Sequence, residues 1–222
     1  MYFTESGTKD NKSEKAMFLG KWLWILFWLF IPGVIASIMV NENIAGLFPA
    51  LLMPGQILQT VCQLIYGAIL IKVSNWDSRY RISGIIVIAA NILSIVLEYV
   101  FANNAEVILI MLIPLGIIGL VGEYYEYMAH SDVVEEFDEE ITAKWKKLWK
   151  WYIGSFGLMV LSIVLVFITA ILGLLAMLVS AIAIIVVSIL KLVYLYRTAK
   201  IFRDYADNNP DMMQSGFTGS DF

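Results

Sequence analysis

Apolar residues run through this chain in long blocks, and polar residues gather in the gaps between them. Six blocks stand out, at 22–40, 47–71, 82–101, 107–127, 152–172 and 174–196. Each holds about 20 residues, which is what a helix needs to cross roughly 30 Å of hydrocarbon. The last two blocks are divided by an argument from length. The 40 residues between Lys150 and Lys191 include no Asp, Glu, Lys or Arg. As one helix they would reach about 60 Å, twice the thickness of the core. The chain is therefore expected to turn near their middle, at Gly173.

The gaps give the blocks a direction. All 15 Lys and Arg residues fall in four clusters: Lys9, Lys12, Lys15 and Lys21; Lys72, Arg79 and Arg81; Lys144, Lys146, Lys147 and Lys150; and Lys191, Arg197, Lys200 and Arg203. Consecutive clusters are separated by enough apolar chain to cross a bilayer and return, and Lys/Arg excess marks cytoplasmic loops. The expected fold is an all-α integral protein of the cytoplasmic membrane. Six transmembrane helices form three hairpins, with both termini in the cytoplasm. Leu-Ser-Ile-Val-Leu recurs at 93–97 and 161–165, a hint that the hairpins are repeats.

By this reading, residues 1–16 are a disordered cytoplasmic tail and 17–128 hold the first four spans. Residues 129–150 form a cytoplasmic amphipathic helix, 151–196 the last hairpin, and 197–222 a cytoplasmic tail. Within 129–150, Val134, Phe137, Ile141, Trp145 and Leu148 recur every three or four residues, and Tyr152 continues the stripe. Asp132 and Glu135 have the spacing of a capping box, and Glu140 and Lys144 that of a favourable helical pair. Such a helix either docks a cytoplasmic protein partner or lies on the bilayer. In the second case Lys144, Trp145, Lys147, Trp149, Lys150 and Trp151 contact anionic lipid headgroups.

Composition narrows the classes of function. With 60% hydrophobic and 15% charged residues, the chain has no room for a soluble catalytic domain beside six spans. The net charge of −4 sums a basic layer and one acidic block, so nothing points to nucleic acid. Cys62 is the sole cysteine and His130 the sole histidine, which excludes a disulfide and a cysteine- or histidine-rich metal site. Phosphate-loop, nucleophile-elbow and zinc-protease motifs are all missing. No cofactor, metal or enzymatic activity is expected.

The polar residues inside the blocks carry what chemistry remains. Gln56, Gln59 and Gln63 share one helical face, and Asn91 lies at similar depth in the third block. They are expected to line a solute cavity between the second and third spans; the other reading is hydrogen bonding between helices. Glu98 and Glu123 are the ionisable residues nearest the hydrocarbon, where such groups are costly, and Glu126 sits with Glu123 where the fourth span leaves the membrane. Glu123 is expected to pair with Lys72 or Lys191 across the helix ends. Gly116, Gly119 and Gly122, and Ala176, Ser180 and Ala183, form smooth strips suited to close helix packing. Two classes of function follow. One is a subunit that binds or transports a small solute. The other is a non-transporting membrane organiser, regulator or immunity-type protein acting through its cytoplasmic helix.

Overall fold

The computed structural model describes residues 5–101 and 104–209. The outermost parts of both expected tails, residues 102–103 of the link after the third block, and the side chain of Glu98 lie outside the described residues.

Among the described residues the chain is helical and has no strand. The helices are α1 (Glu5–Met39), the short α2 (Glu42–Leu47), a 3-10 turn at Pro49–Leu51, α3 (Leu52–Val73), α4 (Ser78–Val100), α5 (Ala105–Val134), α6 (Glu139–Ile168) and α7 (Ala170–Asp207). Five stretches are long and apolar enough to cross a membrane: Asn11–Met39, Pro49–Val73, Ser78–Leu97, Glu139–Ile168 and Ala170–Asp207.

The helix boundaries follow local chemistry. Asp77 and Asp138 adopt extended backbone and cap α4 and α6, accepting from the backbone N–H groups of Arg79 and Ile141, each at 2.9 Å. Asn41 caps α2 in the same way. Pro54 sits in the first turn of α3, where its missing N–H has no helical partner to lose.

The six long helices form a ring. Each packs on its neighbour in the order α1, α3, α4, α5, α6, α7, and α7 closes the ring on α1. The core lies at the end carrying the Lys and Arg clusters. There Leu19, Leu23 and Leu26 of α1 cluster with Leu70 and Val73 of α3, Tyr80 of α4, Tyr127 and Val134 of α5, Trp145 and Leu148 of α6, and Leu195 and Phe202 of α7. The start of α1, the 74–77 link, the 135–138 turn and the end of α7 all meet at this end. Lys12 Nζ donates to the Glu136 carbonyl at 2.7 Å, Arg79 pairs with Asp132 at 2.6 Å, and the Arg203 guanidinium lies 4.6 Å from the Trp24 ring. Towards the far end large apolar side chains stand exposed, Phe167 and Ile171 among them. A belt of that kind belongs against hydrocarbon rather than water.

The α3–α4 contact depends on two glycines. A Cβ on Gly84 would lie 2.6 Å from the Gly67 carbonyl oxygen, and one on Gly67 would lie 2.9 Å from the Gly84 carbonyl. Backbone thus meets backbone at the crossing. Gly84→Ala is expected to destabilise the protein by about 1–3 kcal/mol through overpacking. Gly116→Ala, which has open space around it, should be neutral or stabilising through helix propensity. The melting temperature in detergent should therefore fall for Gly84→Ala and hold or rise for Gly116→Ala.

Four expectations are corrected here. The last hairpin turns at Thr169, whose extended backbone (φ −149°, ψ 111°) is the single residue between α6 and α7. Gly173 lies one turn into α7, and its missing side chain lets Val166 approach, since a Cβ there would be 2.5 Å from Val166 N. The segment 129–150 is not a separate helix. Its first part completes α5, residues 135–138 turn, and Asp138, not Asp132, caps the start of α6. The first tail is helical from Glu5, with Ser13 and Ala16 buried, and α7 runs to Asp207 with Thr198, Phe202 and Ala206 buried. Of the glycine strip in α5 only Gly122 packs, against Ile86; nothing lies within 4 Å of a Cβ on Gly116 or Gly119.

Candidate functional site

Polar side chains border open space between the helices at two levels. At the far level, α3 and α4 present Gln56, Gln59, Thr60, Gln63, Asn91 and Ser94 to one cavity of about 760 Å³, which Val40 and Tyr99 also border. The sequence places the glutamines three and four apart, so successive turns of α3 bring each amide to the same side. All four expected cavity residues meet there. Their hydrogen bonding differs. Asn91 is buried and its Nδ2 donates to the Thr60 carbonyl at 3.3 Å, tying α4 to α3. Among the described residues the side chains of Gln56, Gln59 and Gln63 have no hydrogen-bond partner.

Gln63 also borders two deeper spaces. One, of about 320 Å³, lies among α1, α3 and α7 and reaches Cys62, Tyr66, Glu123 and Lys191. The other, of about 550 Å³, lies between α3, α4, α5 and α6 and reaches Tyr66, Ser83, Asn91, Glu123, Glu126 and Tyr152. Gly116 and Gly119 line this second space, so the glycines of α5 open room instead of closing a contact.

Below Gln63 is a buried charged cluster. Glu126 is 1% exposed. Its carboxylate accepts a short hydrogen bond from the Tyr66 hydroxyl and lies 3.0 Å from Lys191 Nζ. The same ammonium donates to Glu123 at 2.8 Å and lies near the faces of Tyr127 and Tyr66. One helical turn on from Glu126, His130 is fully buried with its Nε2 3.5 Å from Glu126 Oε1. That approach lacks hydrogen-bond geometry, and Nε2 has no other partner among the described residues. His130 Nδ1 is 2.8 Å from the Tyr80 hydroxyl, and the imidazole stacks on Trp145 with centroids 4.7 Å apart. Trp145 Nε1 in turn donates to Thr198 Oγ1 at 3.0 Å. The Ser83 hydroxyl is a second buried group without a partner, beside the same cavity.

A second ionic group closes the charged end from outside the helices' apolar stretches. Arg79 bridges Asp77 and Asp132, and Lys146 lies 3.7 Å from Asp132. Burial pushes the Asp77 carboxyl up, but hydrogen bonds from the Arg79 side chain and backbone N–H outweigh it and hold the group below the usual carboxylate range.

The ion pair expected at Glu123 forms with Lys191. Lys72 is exposed and lies outside the cluster. The headgroup set divides. Trp145 is fully buried and does not face lipid, because its side of the helix is covered by α5 and α7. Trp149 is half-buried against Tyr124 and Tyr127. Lys144 pairs with Glu140, as its spacing predicts. Lys147, Lys150 and Trp151 stand exposed, with Lys147 5.5 Å from the Trp151 ring. Sequence reasoning named Glu126 and His130 without joining them. Their i, i+4 spacing at the polar end of an apolar block was the available signal.

No protein-family model matches this chain, and no curated protein or solved structure matches it either.

Proposed function

We propose that six helices cross the cytoplasmic membrane, with both termini on the cytoplasmic side, and that their ring binds a small polar solute for transport. In this reading α5 is the sixth span: its 30 residues make a helix of about 45 Å, ample for the hydrocarbon core. The end carrying the Lys and Arg clusters faces the cytoplasm.

The observation that carries the solute reading is the set of three glutamine amides facing one cavity with no hydrogen-bond partner among the described residues. In a bilayer an amide without a hydrogen bond is costly, and amides that only join helices are found paired. Three unpaired ones suit a guest that brings its own donors and acceptors, or the water it displaces. Transporters commonly place such sites between helices near mid-membrane. The alternative, an organiser or regulator that docks partners through residues 129–150, loses its apolar face. Ile141, Trp145 and Leu148 are covered by the protein's own helices.

The test is thermal stability in detergent with and without a panel of small polar solutes. Gln59→Leu is expected to melt at or above the wild-type temperature and to lose any stabilisation by a solute that stabilises the wild type. Asn91→Leu should melt lower, because it removes a real interhelical bond, of about 0.6 kcal/mol on average. If Gln59→Leu instead loses stability, and non-additively with Asn91→Leu, the glutamines are structural and the solute reading fails.

A further inference from the structure

The buried cluster below the cavity does not balance its own charge. Glu123 and Glu126 supply two carboxylates, and among the described residues Lys191 is the only ammonium touching them. With a neutral imidazole at His130 the set is left with one negative charge, shared between Glu126, which is buried, and Glu123, whose side chain is 33% exposed. An uncompensated buried charge is expensive, and a site that can neutralise itself will do so. The geometry identifies where the compensating charge goes. His130 Nε2 is fully buried, has no hydrogen-bond partner among the described residues and lies 3.5 Å from Glu126 Oε1.

We propose that this cluster is a proton-binding site, in which one exchangeable proton is held between His130 Nε2 and Glu126 Oε1. In the loaded form the proton bridges imidazole and carboxylate and the cluster is neutral overall. In the empty form the proton has left to water in the adjoining cavity, and Glu126 keeps only Tyr66 and Lys191. No bond other than N–H or O–H forms or breaks. Both carboxylates border the 550 Å³ cavity, so the proton has a way in and out without crossing apolar packing.

Every helix packed around the pair contributes to its setting. α3 presents Tyr66 to Glu126, and α4 presents Tyr80 to His130 Nδ1. α5 adds Glu123, α6 adds Tyr152 and the neutral Trp145, and α7 adds Lys191. Among the described residues, α1 brings apolar groups to this level, Leu26 and Leu29. The Asp77–Arg79–Asp132 group beyond the charged end acts from further away. The Tyr80 hydroxyl matters most for orientation. When it donates to Nδ1, the neutral imidazole carries its hydrogen on Nε2, the atom that faces Glu126. The site sits below the cavity of the solute reading, and Gln63 borders both spaces. On that reading, solute binding and proton binding act on adjoining positions of one space.

The chain has one histidine, which makes the test direct. The full chain, labelled with 15N-histidine and purified through a histidine-free tag, gives a single imidazole in nitrogen-detected or proton–nitrogen spectra. Across about pH 4–9, the range in which a histidine switch works, the wild-type imidazole is expected to change protonation reversibly. In Glu126→Gln it should take up its proton only in more acidic buffer. In Tyr80→Phe the neutral form should move from pure Nε2–H towards a mixture of tautomers. A wild-type imidazole that keeps one protonation state throughout overturns the proposal, as does a Glu126→Gln curve that overlays the wild type. The wild-type titration needs neither variant to fold. It also needs no solute, so failure at Gln59 leaves this test intact, and a flat titration leaves the cavity reading intact.

Discussion

Lys191→Met is expected to lose about 3–5 kcal/mol of stability, the cost of breaking a buried ion pair by removing one partner. Lys191 holds Glu123 at 2.8 Å and Glu126 at 3.0 Å. Methionine matches the stem of lysine in length, so the packing changes little and the loss is electrostatic. Two carboxylates are then left facing each other with only Tyr66 and His130 to help. Adding Glu123→Gln and Glu126→Gln should restore most of the loss, because a buried ionic set replaced as a whole by neutral groups is close to neutral in stability. The measurement is the melting temperature of the single, the two doubles and the triple variant in one detergent. If Lys191→Met melts like the wild type, the ammonium is not the counter-charge that its distances make it.

Trp145→Ala should be of similar size, about 3–5 kcal/mol, for a different reason. The indole is fully buried, stacks on His130, packs edge-on to Tyr127 and Tyr194, and donates to Thr198. Removing it leaves a large cavity at the junction of α5, α6 and α7, together with an unpaired hydroxyl. Trp151→Ala, six residues on, removes a half-exposed ring and should cost well under about 1 kcal/mol. The contrast separates a tryptophan that holds the bundle together from one that meets its surroundings. Equal losses in the two variants would mean that the indole of Trp145 is not enclosed.

Much of this architecture is legible in the sequence, and the missing parts have identifiable causes. Block lengths point to an all-helical chain with long apolar helices, five of them able to cross a membrane, because hydrocarbon thickness and the cost of burying charge act residue by residue. The glutamine face is legible for the same reason, since helical periodicity alone aligns Gln56, Gln59 and Gln63. The stripe from Val134 to Tyr152 shows the limit of that logic. Periodicity predicts that Ile141, Trp145 and Leu148 share a face, and they do. It does not say whether lipid or protein covers that face. Long-range packing decides this, through Phe202 and Leu195 of α7 and Tyr127 of α5. At the 135–138 break, Asp138 has the residue type of a helix cap just as Asp132 does, and local spacing alone does not choose between them. The Glu126–His130 cluster draws on five helices, and a residue's distant partners leave no trace in local pattern. Lys191 and Lys72 look alike from sequence; only the ring tells them apart.

The ring also has a seam. Its closing contact joins the first long helix to the last, with Gly20 of α1 against Phe202 and Arg203, and Trp24 5.5 Å from Tyr196. Every other contact between long neighbours is available as soon as the next helix has been made. This one waits for nearly the whole described chain, and contacts that span so much sequence form slowly. Until α7 arrives, the side of α1 that meets Phe202 and Arg203 is uncovered, and among the described residues Glu123 and Glu126 have no ammonium beside them. The growing protein is thus held in an open, electrically unfinished state until its final helix supplies a wall and a charge together. Membrane quality control would meet that state in any copy cut short before Lys191.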